Sequence, residues 1–138
     1  MIKVVVFDAY GTLFDVYSIG ALAEQLYPGQ GSAISALWRD KQIEYTRLIT
    51  LSDPNSTTGS RHYLSFWELT RLSLRYTLER LQLAHSQAHE DALMGQYARL
   101  QAFPENLGVL TQLKAQGIDS AILSNGSPEM LASAVASA

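Results

Sequence analysis

Val4-Val5-Val6-Phe7-Asp8-Ala9-Tyr10-Gly11-Thr12-Leu13-Phe14 is the stretch whose reading decides the fold. A short apolar run rich in β-branched residues leads straight into an aspartate and then a Gly-Thr turn. A buried parallel strand reads this way when a carboxylate stands at its C-terminal end. Open α/β sheets bind ligands outside the carboxyl ends of their strands, which puts Asp8 where chemistry is done. Gly11 lets the chain turn away sharply, because a residue without Cβ tolerates backbone angles that others do not. On strand and spacing alone, an Asp8 that merely caps a turn is an equal alternative.

Downstream, Asp15 is placed to cap a helix over 16–26, closed by Pro28 and Gly29. Ser32 opens a longer helix over 33–51, with Ile34, Leu37, Trp38, Ile43, Tyr45, Leu48 and Ile49 at its apolar positions. Residues 52–60 are polar and aperiodic and read as a solvated loop. A third helix is expected over 62–83. On it Glu68, Arg71 and Arg75 stand three and four apart, the pattern of a solvated charged face. A fourth helix over 88–101 has Ser86 as its cap, and Pro104 and Gly117 bracket a fifth. Ile118-Asp119-Ser120-Ala121-Ile122-Leu123 is a second strand running into Ser124-Asn125-Gly126, and Ser127-Pro128-Glu129 starts a final helix. The order strand, several helices, strand, helix predicts an α/β fold.

Composition narrows the function classes. The 138 residues suggest one domain, and 47% hydrophobic residues with average charge predict a globular fold. The net charge is −3 with ten basic residues scattered along the chain, so nucleic acid and anionic lipid find no basic patch. Without cysteine there is neither a disulfide framework nor a thiolate zinc site. His85 and His89 lie four apart without a zinc-like carboxylate pattern and read as solvated helix-start histidines. The apolar run Val4–Phe7 is too short for a signal peptide or a membrane span, and a soluble cytoplasmic protein is the expectation.

Phe7-Asp8-Ala9-Tyr10-Gly11-Thr12-Leu13-Phe14-Asp15 resembles the first signature of the haloacid dehalogenase superfamily, in the wording of the L-2-haloacid dehalogenases. In the superfamily's phosphatases a second Asp, two residues after the nucleophile, protonates the leaving group and helps hold Mg2+. Here that position is Tyr10, which is no strong acid at neutral pH. A halide leaving group needs no proton, and without phosphate charge to neutralise a metal is dispensable. The resemblance therefore implies hydrolysis of (S)-2-haloalkanoic acids to (R)-2-hydroxy acids through an aspartyl ester on Asp8, with no cofactor and no metal. A Mg2+-dependent phosphatase, or an inactive fragment that acts by associating with a partner, are the alternatives.

Two further segments carry the likeness. Leu37-Trp38-Arg39-Asp40-Lys41-Gln42-Ile43-Glu44-Tyr45 is similar to the family's cap-helix segment, whose arginine contacts the departing halide; Arg39 matches it. Positions 39, 42 and 43 share one side of a helix, so a guanidinium and an aliphatic wall can face one ligand. At position 40 the family has an uncharged polar residue, whereas this chain has Asp. Ala121-Ile122-Leu123-Ser124-Asn125-Gly126-Ser127-Pro128 is similar to the second motif. By resemblance Ser124 binds the substrate carboxylate and Asn125 helps Arg39 hold the halide. Thr12 is placed to hydrogen-bond the Asp8 carboxylate and orient it. Phe66 and Trp67 match an aromatic pair; Phe66 is expected to wall the pocket with Ala9, Tyr10 and Ile43.

The implied architecture is a Rossmann-like parallel-sheet core of residues 1–15 and 103–138, with a helical cap of 16–102 inserted after the first strand and hinged near Phe14 and Phe103-Pro104. The resemblance also implies a possible homodimer. Relatives continue with a catalytic Lys and a Ser-x-Asn-x-x-Asp segment that have no match after Gly126. The core is thus expected to be incomplete in this chain.

Overall fold

A computed structural model describes residues 2–138, so only Met1 of the expected core segment lies outside it. Strand β1 (Val4–Phe7) pairs in parallel with β4 (Asp119–Ile122), with Val4 opposite Asp119 and Phe7 opposite Ile122. The Leu123 N–H donates to the Phe7 carbonyl at 2.9 Å, so the chain leaves both strands side by side at Asp8 and Ser124. A second, minimal sheet joins β2 (Phe14–Asp15) to β3 (Gln101–Ala102) in antiparallel register. Between β2 and β3 lie a 3-10 turn (Val16–Ile19) and helices α1 (Gly20–Leu26), α2 (Gly31–Leu51), α3 (Phe66–Arg80) and α4 (Gln87–Tyr97). Helices α5 (Asn106–Ala115) and α6 (Pro128–Ser137) flank β4 in sequence.

Local chemistry sets the helix starts. Asp15 accepts from the Tyr17 N–H at 2.9 Å and caps only the 3-10 turn, so the single helix expected over 16–26 is divided in two. α3 starts at Phe66 rather than near His62. Ser65 and Glu68 close a capping box there, with Ser65 N–H donating to Glu68 Oε2 at 2.8 Å and Glu68 N–H to Ser65 Oγ at 3.2 Å. Ser86 and Ser127 cap α4 and α6, the latter with Pro128 in its first turn. β2 and β3, two residues each, have no counterpart in the sequence expectation because so short a pairing leaves no periodicity.

The densest apolar packing lies among the inserted helices. Ile34 and Trp38 of α2, Leu74 and Leu78 of α3, and Leu93 and Met94 of α4 are all buried. Each such side chain contributes about 1.5–3 kcal/mol of burial free energy. The same interface corrects the expected solvated face of Glu68, Arg71 and Arg75. Arg75 donates from Nε and Nη2 to the two carboxylate oxygens of Glu90 on α4, at 2.8 and 2.9 Å. Glu90 is fully buried, with Arg71 Nε 3.6 Å and His85 Nε2 2.7 Å from it. His89 is likewise tied down, its Nδ1 3.0 Å from the Tyr27 hydroxyl, which itself donates to the Ala84 carbonyl at 2.9 Å. These partners lie on separate elements, beyond the reach of helical spacing.

The expected burial of β1 is also corrected. Val4 is 47% exposed and Val6 54%, and every residue of β4 is exposed. Among the described residues no second layer covers the face that Val4 and Val6 present. Unpaired strand edges and uncovered apolar faces invite association. The 138-residue chain on its own is therefore expected to self-associate, read as concentration-dependent elution in size-exclusion chromatography; a monodisperse, cooperatively unfolding monomer refutes this.

Glu90→Gln tests the ion cluster. The Arg75 hydrogen bonds hold the Glu90 carboxyl below the usual glutamate range against the opposing effect of burial. A lowered folded pKa contributes stability that is fully present above the ordinary value of about 4.3 and is lost as pH falls through the folded value. Because Arg75 is half exposed, the substitution is expected to cost about 2 kcal/mol at neutral pH in urea unfolding. The loss should shrink on acidification below about pH 4.

Candidate active site

Asp8 emerges at the C-terminal end of β1 with an exposed carboxylate. The Thr12 hydroxyl donates to its Oδ2 at 3.1 Å. The turn that brings Thr12 back is wound around the Ala9 carbonyl, which accepts from the N–H groups of Thr12, Leu13 and Phe14 at 3.3, 2.8 and 3.0 Å. Ala9 itself is fully buried, and its side chain is not part of the cleft wall described below. Gly11 completes the turn at φ +97°, and a Cβ there would stand 3.2 Å from Arg39 Nη2. That position thus needs a residue without a side chain for both its backbone angle and the close approach of the guanidinium.

Arg39 reaches across from α2. Its Nη2 donates to the Tyr10 carbonyl and its Nη1 to Gln42 Oε1, both at 2.8 Å. Asp40, the departure from the family pattern, is exposed, and among the described residues it makes no ion pair with Arg39. Both hydrogen-bonded partners of the guanidinium are neutral, so neither offsets its positive charge.

Asp8, Tyr10, Arg39, Ile43, Phe66, Ser124 and Asn125 line one cleft of about 290 Å³. Thr46 and Arg47 complete the wall and were not singled out in the sequence. The signal was present: 39, 43, 46 and 47 follow the i, i+4, i+7, i+8 stripe of one helix face. Trp67, by contrast, packs partly buried against the apolar core. Among the described residues no three His, Cys, Asp or Glu side chains converge as a metal site.

Tyr10 closes the floor. Its ring lies 5.2 Å from that of Phe66 and is stacked on Tyr97 at 5.7 Å and 19°. The Tyr10 hydroxyl is buried without a hydrogen-bond partner among the described residues, and burial pushes its pKa up to about 12. It stays protonated across the neutral range, with an apolar ring face and no ready charge. Ser124 Oγ accepts from the Gly126 N–H at 3.1 Å, curling the second strand end toward the cleft. A Cβ on Gly126 would meet Tyr10 Cε2 at 2.8 Å, so this glycine makes room for the ring.

Residues 2–138 match the family model described as haloacid dehalogenase-like hydrolase. An (S)-2-haloacid dehalogenase of Xanthobacter autotrophicus is 43% identical over 138 residues, all of this chain and 51% of the relative. The (S)-2-haloacid dehalogenase H-109 of Pseudomonas putida is 44% identical over 126 residues, 91% of this chain and 53% of the relative. Among solved structures, an L-2-haloacid dehalogenase superimposes with a TM-score of 0.90 at 54% identity, covering 99% of this chain and 58% of the other. The Xanthobacter autotrophicus L-2-haloacid dehalogenase with chloropropionic acid covalently bound gives a TM-score of 0.86 at 42% identity, covering 99% and 52%. The chain spans about half the length of the curated relatives it matches.

The Tyr10–Gly126 contact leaves no room for a side chain at position 126. Gly126→Ala forces a methyl group into a ring held on its other sides by Phe66 and Tyr97. Overpacking of this kind is expected to cost about 1–3 kcal/mol, read in thermal or urea unfolding. Gly126→Ala as stable as the parent would show that Tyr10 moves freely.

Proposed function

The chain belongs to the haloacid dehalogenase-like hydrolases, and from that premise we propose that it carries the nucleophile and the halide-binding side of an (S)-2-haloacid dehalogenase. The observation that carries this reading is the meeting, in one cleft, of a carboxylate oriented by Thr12 and a guanidinium whose partners are neutral. An Asp8 carboxylate oxygen attacks C2 of an (S)-2-haloalkanoate. The new O–C2 bond forms as the carbon–halogen bond breaks, and halide departs with the bonding electron pair. Inversion at C2 leaves an ester between Asp8 and the substrate. Water then adds to the Asp8 carboxyl carbon, the ester C–O bond breaks, and the departing oxygen takes a proton as the (R)-2-hydroxy acid.

Each wall of the cleft has a part. Arg39 stabilises negative charge growing on the halogen, aided by Asn125. Loss of one such charged contact removes about 3 kcal/mol of transition-state stabilisation. Ser124 receives the substrate carboxylate, while Tyr10, Ile43 and Phe66 enclose the alkyl chain and the Ala9–Tyr10 backbone underlies it. Because halide leaves unprotonated, the displacement calls on neither a second acid nor a cofactor. Residues 16–102 act as a cap over the core segments 1–15 and 103–138. Its crossings fall at the β2–β3 pairing of Phe14 with Ala102 and Asp15 with Gln101.

A single turnover in H2(18)O tests the order of bond making. Excess protein with 2-chloropropionate should release unlabelled hydroxy acid and leave heavy oxygen on Asp8, and freshly made Asp8→Asn should release no halide. Label in the product of the first turnover would mean that water attacks C2 directly. Activity that vanishes with EDTA, or turnover of phosphate esters instead, would replace the dehalogenase reading with that of a metal-dependent phosphatase.

A further inference from the structure

Gln42 lies one turn beyond Arg39 on α2 and is 1% exposed, yet it is not part of the cleft wall. Its carboxamide is held from three directions. Nε2 donates to Thr70 Oγ1 at 2.6 Å and to the Tyr97 hydroxyl at 2.9 Å, and the Tyr97 hydroxyl is 3.1 Å from Oε1. The remaining direction of Oε1 faces Arg39 Nη1 at 2.8 Å.

The polarity of this chain is determined by its ends. Thr70 Oγ1 donates to the Phe66 carbonyl at 2.6 Å, which leaves it a lone pair for an incoming N–H. Gln42 must therefore present its amino group to Thr70. A guanidinium only donates, so the atom facing Arg39 must be the carbonyl oxygen. The two requirements agree and select one orientation of the amide. Donation runs outward from Arg39 in two directions: through Gln42 and Thr70 to the Phe66 carbonyl on α3, and directly to the Tyr10 carbonyl after β1.

On the premise of the dehalogenase reading, we propose that Gln42 is a positioning residue for Arg39: a buried, neutral acceptor that fixes the guanidinium in the cleft without cancelling its charge. A carboxylate at the same place would hold the guanidinium equally firmly but would pair with it, leaving less positive charge for a departing halide. Burial drives the Tyr97 phenol pKa upward, so this member of the chain also stays uncharged. A guanidinium carries five N–H donors, of which the Gln42 and Tyr10 bonds engage two.

Two variants of the whole protein test the proposal. Gln42→Met keeps the volume and removes the acceptor; Gln42→Glu keeps an acceptor and adds a charge, so the outcome does not depend on either variant alone. On the dehalogenase reading the departing halide rests against Arg39, so inhibition by added bromide serves as the probe of the guanidinium. Both variants are expected to raise the bromide inhibition constant about tenfold and to lower kcat by about tenfold to a hundredfold, with KM changed less than about threefold. A merely structural Gln42 would lower the unfolding midpoint of both variants and leave the bromide constant within about twofold of the parent, and that result overturns the proposal. A Gln42→Glu protein that binds bromide as the parent does also overturns it, because charge cancellation is central to it.

A readout without turnover separates this proposal from the reaction it rests on. In protein labelled with 15N-arginine, the Nη1 and Nη2 signals of Arg39 should be distinct in the parent, where both groups are hydrogen-bonded, and averaged in Gln42→Met. If the parent releases no halide from any 2-haloacid, the dehalogenase reading fails while these signals still decide whether Gln42 holds Arg39. Averaged signals in the parent would show that it does not.

Discussion

Arg39 spans the gap between the inserted helices and the turn after β1, and the geometry of the cleft depends on that bridge. One side of its guanidinium is held by the Tyr10 carbonyl, the other by Gln42 on its own helix. The span is possible because Gly11 has no side chain to stand in the path of Nη2. A strand end, a glycine turn and a helix face thus meet around one planar cation, whose fork of donors fits two acceptors at once.

A second link between the same bodies is apolar. Tyr10 follows the nucleophile strand but lies among rings from α3 and the end of α4, with Phe66 to one side and Tyr97 stacked beneath it. Tyr97 also donates toward Gln42, so the aromatic floor and the polar chain share a residue. This shared use is efficient in a small site. The ring faces exclude water from the floor, and the hydroxyl of Tyr97 satisfies an amide that would otherwise be costly to bury.

Polar burial within the inserted helices follows the same rule. Gln42, Thr70, Ser73, Thr77 and Glu90 are all buried, and each has partners. The Glu90 carboxylate is matched by Arg75 and His85 rather than left to the apolar packing around it. The β1–β4 pair differs. Val4, Val6 and Leu123 expose apolar surface, as do Leu48, Leu51 and Leu72 on the inserted helices, but every residue of β4 is exposed as well. Most of the buried apolar side chains thus lie in the inserted helices, while the β1–β4 pair remains largely uncovered among the described residues.

By itself the sequence determined the features that local rules govern. The apolar run into Asp8, the Gly-Thr turn, the Ser127-Pro128 helix start and the helical stripe through Arg39 and Ile43 all follow from the short β-branched run, turn chemistry, capping and helix periodicity. Asp8, Tyr10, Arg39, Ile43, Phe66, Ser124 and Asn125, singled out in sequence, line one cleft. Thr46 and Arg47 lie on the same stripe and were legible in principle. Only the tertiary structure decided that Arg75 faces Glu90, that Gln42 joins Thr70 and Tyr97, and that Gly126 makes room for Tyr10. These partners are 15, 28, 55 and 116 residues apart in the chain. No spacing rule reaches that far, because such pairings are set by how helices and strands pack and not by the repeat of any one of them.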